Sequence, residues 1–448
     1  MATAAKTIHA HDWRAQLGAK LVSPDEAVSH VRSGDRITMS LAQKTPYTIC
    51  AALAGRLMEI ENVVLNHSAA FFNWDLPGLG ERFRLESFYV SPVDRGLFTE
   101  QGRGEFVPMS YYRDGTLPPG LDNFNVYLMT VSPPDANGFV NFGEFQIMSK
   151  LLARAASLVI AEIDPASIRI GGDNEMHISE IDYFVESSVK GPPPDINPPP
   201  VSDEEKRTVA AICGLVAREL VPDRATIQVG VGSTSGAICD HLNNHHDLGM
   251  QTEIIPWGTT RLVREGVMTG KYKKLFPGIV VGSGFAAGFG REELDYADGN
   301  PGFQLYDFNF TDDIRLIARE EGLIAINNAL SIDLTGQVAS ESIGPRMYSG
   351  TGGQIAFGIG SSLAGGKSII VVPSSSIVKG QRISRIVPSI APSSVFTLPR
   401  AFVHYVVTEH GVATLKGKSI RERARELIAV SHPDFRAELT AEAKRLYG

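Results

Sequence analysis

Hydrophobic and polar positions in the first 190 residues follow two alternating patterns. Segments with helical periodicity alternate with short apolar runs that are typical of strands. The first helical segment begins at the capping residue Ser23 and closes on Gly34, as expected of a short helix. The predicted elements are a helix at 23–34, a strand at 35–40, a helix at 45–60, strands at 61–68 and 123–132, and a helix followed by a strand within 145–164. This rhythm predicts parallel sheets covered by helices.

A proline-rich stretch divides the chain. The segment GPPPDINPPP (191–200) contains six prolines in ten residues, which prevents a helix and favours an extended linker. The length of 448 residues, 43% of them hydrophobic, also exceeds what one hydrophobic core normally fills. We therefore predict two open, mostly parallel α/β domains, 1–190 and 201–448, joined by the linker 191–200.

The second predicted domain contains two glycine-rich turns, each between a strand and a helix. A helix at 203–221 and a strand at Thr226–Val229 precede the first turn, and a helix of small residues follows the second. Backbone N–H groups in such a turn can approach an anion at the positive end of a helix. For the first turn, a tight turn without a ligand is an equal alternative, because its spacing departs from G-x-G-x-x-G. The glycines are Gly230, Gly232 and Gly236 in the first turn and Gly350, Gly352 and Gly353 in the second.

Composition and charge narrow the class of protein. The formal net charge is -8 and the sequence contains no Lys/Arg cluster, so we expect no nucleic-acid partner. Cys50, Cys213 and Cys239 stand singly, which indicates core residues of a reducing compartment rather than disulfides or a zinc site. No run of about 18 apolar residues and no signal peptide is visible, so we expect a soluble, cytoplasmic protein without a membrane segment.

Two other patterns suggest chemistry but favour a structural interpretation. His241 and His245 are four residues apart in a predicted helix with Asp247 nearby, but the segment has the composition of a polar helix end, and we predict no metal site. The segment VGSGF (281–285) lacks the second glycine of a nucleophile elbow, so a serine hydrolase is not indicated.

One carboxylate stands in unusual surroundings. Apolar residues and glycines flank Thr252 and Glu253 in LGMQTEIIPWG (248–258), and a Pro-Trp-Gly corner follows at once. A glutamate usually serves solubility, whereas an apolar flank leaves a carboxylate poorly solvated and more reactive. This segment alone leaves open whether Glu253 has a function.

Several longer segments resemble the acetyl-CoA hydrolase/transferase family, which includes 4-hydroxybutyrate and butyrate:acetate CoA-transferases. The resemblance covers about residues 20 to 440 and is carried by VSPPDANGFVNFG (131–143), by 326–357, which contains GTGGQIAF, by GGKSIIVVPSS (365–375) and by 384–436. It implies an active site in the cleft between two open α/β domains. It also implies acyl-CoA as substrate and no tightly bound cofactor or metal.

The resemblance assigns roles to particular residues. It implies that Glu253 attacks the acyl-CoA thioester, because LGMQTEI is similar to the segment that holds the nucleophile in relatives. The loop GTGG (350–353) matches G-x-G-G, whose backbone N–H groups stabilise the oxyanion, so Gly352 and Gly353 are expected to form the hole. Asn309 is expected to orient the glutamate or the CoA arm. The remaining expected binding residues are Gly230, Gly232, Gly350, Thr351 and Arg346.

The activity implied is a CoA-transferase that exchanges CoA between an acyl-CoA and a small carboxylic acid. The expected mechanism is ping-pong, through a glutamyl-CoA thioester on Glu253. A thioester hydrolase using the same glutamate is the alternative, since water could intercept that intermediate. We expect a homo-oligomer. The acids stay open, because GVGSTSG and TEIIPWG depart from the family pattern, and Arg346 or Arg261 could pair with a second carboxylate or form a surface salt bridge.

Overall fold

The computed structural model describes residues 12–69, 71–99, 101–109, 123–189, 202–232 and 234–448. The predicted linker 191–200 lies outside these residues, so the proposed domain boundaries stay a prediction. The fold within the described residues is mixed α/β with mostly parallel sheets, as predicted from the helix and strand pattern.

Residues 12–189 form short helices around a parallel sheet. The helices are α1 Trp13–Leu17, α2 Pro24–Ser29, α3 Tyr47–Arg56, α4 Arg95–Thr99 and α5 Ser149–Ala155. The strands are β1 Arg36–Met39, β2 Val63–Asn66, β3 Phe83–Ser87, β4 Gly104–Phe106, β5 Val126–Val131, β6 Phe139–Asn141, β7 Leu158–Ile163, β8 Gly171–Gly172, β9 Glu175–His177 and β10 Tyr183–Glu186.

Residues 202–448 hold a second group of elements. The helices are α6 Asp203–Leu220, α7 Thr259–Arg264, α8 Arg291–Ala297, α9 Phe308–Thr311, α10 Ile314–Ile317, α11 Gln354–Leu363, α12 Ile420–Val430 and α13 Arg436–Tyr447. The strands are β11 Thr226–Val229, β12 Gly249–Met250, β13 Ile254–Ile255, β14 Val280–Gly282, β15 Gly284–Phe285, β16 Phe303–Leu305, β17 Ile324–Asn328, β18 Ser331–Asp333, β19 Val338–Ala339, β20 Ser342–Ile343, β21 Arg346–Met347, β22 Lys367–Val371, β23 Ser375–Val378, β24 Gln381–Ser384, β25 Ile386–Val387, β26 Tyr405–Thr408 and β27 Gly411–Thr414.

Two large sheets organise these elements. The first has the order β10-β7-β5-β1-β2-β3-β4, and all of its neighbouring strands are parallel. The second has the order β12-β11-β17-β22-β26-β27 and is parallel except for the final β26–β27 hairpin. The central strands are mostly buried, and β5, with the sequence VYLMTV, is buried along its whole length. Continuous apolar strands of this kind are typical of parallel sheets covered on both faces.

A smaller parallel sheet joins the two halves of the chain. Strand β8 of the first half pairs with β16 of the second, with Gly171 opposite Gln304 and Gly172 opposite Leu305. Gly172 has a φ of 97°, and a Cβ there would overlap the backbone of Leu305. Only glycine therefore fits this crossing between the halves.

Local predictions agree with the structure in part, and α2 ends at Ser29, five residues before the predicted closing residue Gly34. The Ser23 side chain accepts the Glu26 N–H as the predicted cap, and the strand Thr226–Val229 is confirmed. The helix expected after Gly236 is a 3-10 helix, Ser235–His241, which ends before His245. At the start of this helix, the Asn328 side chain binds both the N–H and the hydroxyl of Ser235.

His245 is held by the end of a neighbouring helix. Its Nε2 lies 3.1 Å from the Ala217 carbonyl oxygen and 2.9 Å from that of Val221, at the C-terminal end of α6. Within the described part of the chain, no group of three or more His, Cys, Asp or Glu side chains is arranged to hold a metal ion. The three cysteines are buried free thiols. None of the helices in the described ranges is both long and apolar enough to cross a membrane.

Candidate active site

The backbone holds Glu253 between two short strands, β12 and β13. The Thr252 N–H donates to the Val281 carbonyl at 3.0 Å, and the Ser283 N–H donates to the Glu253 carbonyl at 2.7 Å. Thr252 is fully buried, with its hydroxyl 3.1 Å from the Ile254 carbonyl oxygen. The apolar run and the buried threonine therefore fix the segment on both sides of the carboxylate.

The Glu253 side chain reaches the second glycine turn. The Gly353 N–H donates to Glu253 Oε2 at 2.6 Å. Gly353 is the N-cap of α11, a ten-residue helix, so the carboxylate lies at the positive end of a helix. A Cβ at position 353 would overlap Glu253 Oε2, and Gly352 has a φ of 56° that side chains rarely adopt. Both glycines are required by the geometry at the carboxylate.

A buried glutamate anchors this glycine turn. The Thr351 hydroxyl donates to Glu341 Oε2 at 2.8 Å, and the Thr397 hydroxyl donates to Oε1 at 2.9 Å. The Tyr348 N–H also donates to the Glu341 carbonyl at 2.7 Å. Thr351, predicted to contact substrate, therefore has a hydrogen bond that orders the turn next to Gly353.

The first half of the chain closes the site from the other side. A Cβ at Gly350 would overlap the Phe88 carbonyl oxygen and lie 3.0 Å from Tyr89 Cα. Arg95 reaches back across the same junction: its Nε donates to the Tyr348 carbonyl at 3.0 Å, and its guanidinium lies 3.8 Å from the centre of the Tyr348 ring. Glu253 and its glycine turn thus lie where the two halves of the chain meet.

The surroundings alter the ionisation of Glu253. Burial raises the pKa of Glu253 from 4.5 to about 7, and the hydrogen bond from the Gly353 N–H opposes that rise. The residue keeps partial access to solvent. It can therefore be ionised near neutral pH while its carboxylate is only weakly hydrated, which suits a nucleophile.

A second carboxyl group, that of Asp312, lies beside Glu253. Asp312 was not identified from the sequence as a candidate site residue. Asp312 is fully buried. A Cβ added at Gly353 would overlap Glu253 Oε2 and would lie 2.7 Å from Asp312 Oδ2, so both carboxyl groups face this glycine. Burial, followed by the charge of Glu253, raises the pKa of Asp312 well above its usual range. The sequence shows only two adjacent acids, Asp312 and Asp313, between two short helices, and nothing local distinguishes the buried one.

Two further glutamates in the second half of the chain, Glu320 and Glu409, have structural partners. Glu320 accepts hydrogen bonds from the Thr226 hydroxyl at 2.9 Å and from two backbone N–H groups, of Lys274 and Leu275. Glu409 accepts from the Ser374 N–H at 2.9 Å and from the same residue's hydroxyl. Their oxygens are occupied by these donors.

The first glycine turn packs against two asparagines. A Cβ at Gly230 would overlap Asn327 Oδ1, and one at Gly232 would overlap Asn328 Nδ2, both at the C-terminal end of β17. Close packing therefore explains both glycines without a ligand. They also line a narrow apolar pocket that continues along the segment after Glu253. Its apolar wall is formed by Ile254, Pro256, Trp257 and Ala286.

Three predicted or candidate polar residues lie elsewhere. The Asn309 N–H donates to Asp307 Oδ1 at 2.8 Å. Among the described residues, no hydrogen bond connects the Asn309 side chain to Glu253. Arg346 lies exposed in the β20–β21 hairpin. Arg261 contacts the Cys239 carbonyl and the Asp240 carboxylate, each at 3.2 Å. The expected roles of Asn309 and Arg346 stay predictions.

Comparison with known proteins identifies what the chain is similar to. The acetyl-CoA hydrolase/transferase N-terminal domain matches residues 5–191, and the C-terminal domain of the same name matches residues 290–443. A 4-hydroxybutyrate coenzyme A transferase of Clostridium kluyveri is 34% identical, covering 97% of this chain and 100% of the relative. A succinyl-CoA:acetate/propanoyl-CoA:succinate CoA transferase of Fasciola hepatica is 38% identical, covering 94% of this chain and 86% of the relative.

A solved structure extends this similarity to the fold. The crystal structure of RipA from Yersinia pestis superposes with a TM-score of 0.86 at 33% identity, covering 98% of this chain and 100% of RipA. Acetyl-CoA hydrolases match less of the sequence: the one from Saccharomyces cerevisiae covers 27% of this chain. The similarity over the whole length is therefore to transferases.

Proposed function

The chain belongs to the acetyl-CoA hydrolase/transferase family and is a CoA-transferase, and from this premise we propose that Glu253 is its nucleophile. The hydrogen bond from the Gly353 N–H to Glu253 Oε2 carries the proposal. It holds the carboxylate at a helix N-terminus, next to backbone donors that can stabilise an oxyanion on an attacked carbonyl.

The reaction proceeds in two balanced halves. Glu253 attacks the carbonyl carbon of the acyl-CoA, the C–S bond breaks, and an acyl-glutamyl anhydride and CoA thiolate form. The thiolate attacks the glutamyl carbonyl, which releases the first carboxylate and leaves a glutamyl-CoA thioester. An incoming carboxylate attacks this thioester, and the returning thiolate takes up the new acyl group and regenerates Glu253.

The apolar pocket next to Glu253 indicates which kind of acyl group the enzyme prefers. Among the described residues that line it, none has a charged side chain, and Ile254, Pro256 and Trp257 form much of its wall. Burying a second carboxylate there without a partner would be unfavourable. We therefore assign short, apolar monocarboxylic acids as the preferred acyl groups. The proposed substrate is acyl-CoA, and the proposed reaction uses no tightly bound cofactor.

Acceptor acids of equal length test this assignment. With one acyl-CoA donor, short monocarboxylates are expected to show higher kcat/KM than dicarboxylates of the same chain length. Higher kcat/KM for the dicarboxylates would contradict the apolar pocket as the acyl site while leaving Glu253 as nucleophile untouched.

Hydrolysis remains the alternative outcome of the same intermediate. Water would attack the glutamyl thioester and release CoA without any acceptor acid. Mixing enzyme with acyl-CoA, with and without an acceptor acid, and following free thiol against new thioester separates the two. New thioester that depends on the acceptor supports transfer, and continuous thiol release without acceptor supports hydrolysis.

Trapping the intermediate tests the role of Glu253 directly. Incubation with acyl-CoA alone, followed by borohydride, is expected to reduce the thioester to an alcohol and lower the mass of the Glu253 peptide by about 14 Da. The same treatment without acyl-CoA is the control. Parallel initial-rate lines at several acceptor concentrations are also expected. A modified glutamate in another peptide, or intersecting lines, would overturn the assignment.

The setting of the enzyme is part of the proposal. Three buried free thiols fit a reducing, cytoplasmic environment. The β23–β24 hairpin exposes Ile377, Val378 and Ile383, an apolar surface that a homo-oligomer would cover. Light scattering after size exclusion is expected to give a mass above that of one chain, and a monomer would contradict the oligomer.

A further inference from the structure

Asp312 and Glu253 form a buried pair of carboxyl groups. A Cβ at position 353 would overlap Glu253 Oε2 and lie 2.7 Å from Asp312 Oδ2, so the two oxygens are neighbours on the same side of the glycine. Two ionised carboxylates this close in a poorly solvated site would repel strongly. The pair is therefore expected to hold one proton at neutral pH.

The surroundings of the two groups differ. Glu253 accepts the Gly353 N–H at the start of α11, and this hydrogen bond favours its ionised form. Asp312 is fully buried; its Oδ1 accepts the Thr311 hydroxyl at 2.9 Å, and its Oδ2 has no hydrogen-bond partner among the described residues. The proton is thus favoured on Asp312.

The other titratable groups around the pair do not change this assignment. Asp307, from the same segment as Asp312, adds negative charge and favours protonation further. Tyr89, from the first half of the chain, faces Glu253, and Arg95 lies near that tyrosine. Burial, the neighbouring carboxyl groups and the Thr311 hydroxyl set the ionisation of Asp312.

We propose that Asp312 is a positioning residue that keeps the shared proton, so that its carboxyl O–H faces Glu253 and leaves that glutamate ionised for attack. The role rests on the proposed nucleophile. The proton stays on Asp312 throughout the transfer, because the negative charge passes from Glu253 to the CoA thiolate and back. Above the pH at which Asp312 also ionises, two adjacent negative charges disturb the position of Glu253 and turnover falls.

Kinetics of two matched variants test the role. Wild-type kcat/KM is expected to fall at both low and high pH. Asp312→Asn keeps a neutral N–H donor that cannot ionise. At the pH optimum its kcat/KM is expected to stay within about tenfold of the wild-type value, and at high pH its kcat/KM should no longer fall. Asp312→Ala is expected to lose at least about a hundredfold at every pH. Asp313→Asn, one residue further in a surface ion pair with Arg315, is the control and should keep the wild-type alkaline fall.

An infrared measurement makes the test independent of turnover. A protonated carboxylic acid shows a carbonyl band that an ionised one lacks. Buried Asp307, whose pKa is raised to about 7 by burial, also contributes to this band. At neutral pH the band is expected to be stronger in the wild type and in Glu253→Gln than in Asp312→Asn, and the difference is the contribution of Asp312. In Glu253→Gln the band should titrate at a lower pH, because a neighbouring negative charge has been removed.

The outcomes separate the two proposals. The role of Asp312 is overturned if kcat/KM of Asp312→Asn still falls at high pH. It is also overturned if Asp312→Asn folds but has no activity. An infrared band of equal strength in the wild type and in Asp312→Asn also overturns it. An active Glu253→Gln would instead overturn the nucleophile, and the infrared band would still report whether Asp312 holds the proton.

Discussion

The backbone N–H of Gly353 donates a 2.6 Å hydrogen bond to Oε2 of Glu253, across one hundred residues of sequence. This contact joins the end of an apolar segment to the first turn of α11. It keeps the carboxylate oriented before substrate arrives, and it places a backbone donor where negative charge passes during the reaction. The predictions below follow from this contact and its surroundings.

Glu253→Gln is expected to abolish transfer while leaving the fold intact. The amide oxygen can still accept the Gly353 N–H, but the amide is not a nucleophile, so kcat should fall at least about a thousandfold. Steady-state transferase assays and far-UV circular dichroism measure the two effects. Glu321→Gln, at an exposed glutamate that pairs with Lys274, is the control. Retention of more than about a tenth of the activity would contradict the assignment.

Gly353→Ala is expected to lower kcat far more than thermal stability. The added Cβ would overlap Glu253 Oε2 and crowd Asp312 Oδ2, so the carboxylate must leave the backbone N–H. Gly55→Ala is the matched control, because position 55 lies in α3 and a Cβ there meets nothing within 4 Å. Equal losses of kcat and melting temperature in Gly353→Ala would mean that the glycine serves only the turn.

Glu341→Gln is expected to reduce stability and activity together. Its two carboxylate oxygens accept the hydroxyls of Thr351 and Thr397, and the amide nitrogen of glutamine cannot accept either one. Loss of one buried hydrogen bond costs about 1–3 kcal/mol in the free energy of unfolding. Thr351→Val removes the hydroxyl that donates to Glu341, and denaturant titration should show a smaller decrease in the free energy of unfolding. A Glu341→Gln variant that is inactive at unchanged stability would instead identify Glu341 as part of the chemistry.

The acid limb of the pH profile is expected near neutrality. Glu253 must be ionised to attack, and burial raises its pKa to about 7. The value of kcat/KM should therefore be highest above pH 7 and fall about tenfold per pH unit well below it. Measurements with a donor and acceptor whose own ionisation lies outside this range isolate the enzyme. A profile that is flat from pH 8 to pH 5 would contradict a raised pKa.

Stability is expected to decrease as pH rises from about 5 to 8 through this site. The folded-state pKa of Glu253 lies above its unfolded value of 4.5, so the folded protein binds more protons in this window and loses stability as they leave. The effect is on the order of 2 kcal/mol, and urea titrations at several pH values measure it. Glu253→Gln should show a smaller decrease, and Glu321→Gln should follow the wild type. A Glu253→Gln variant whose stability falls as steeply with pH as that of the wild type would contradict this contribution of Glu253.

Local sequence patterns predicted several of the helices and strands. The capping residue Ser23, the strand Thr226–Val229 and the order of strands and helices were predicted because capping and hydrophobic periodicity act over a few residues. The apolar flank of Glu253 was also visible, and the long C-terminal similarity identified the family. The parallel α/β class followed from these local signals.

Tertiary structure alone decided which groups meet. Asp312 looks like any surface acid in the sequence, yet the packing of α9 and α10 against the turn at Gly353 buries it beside Glu253. Gly230 and Gly232 look like a ligand-binding turn, yet they give room to Asn327 and Asn328 of a neighbouring strand. The physical reason is that burial and proximity arise between segments many residues apart, and the pKa of a carboxyl group depends on those neighbours rather than on its own sequence.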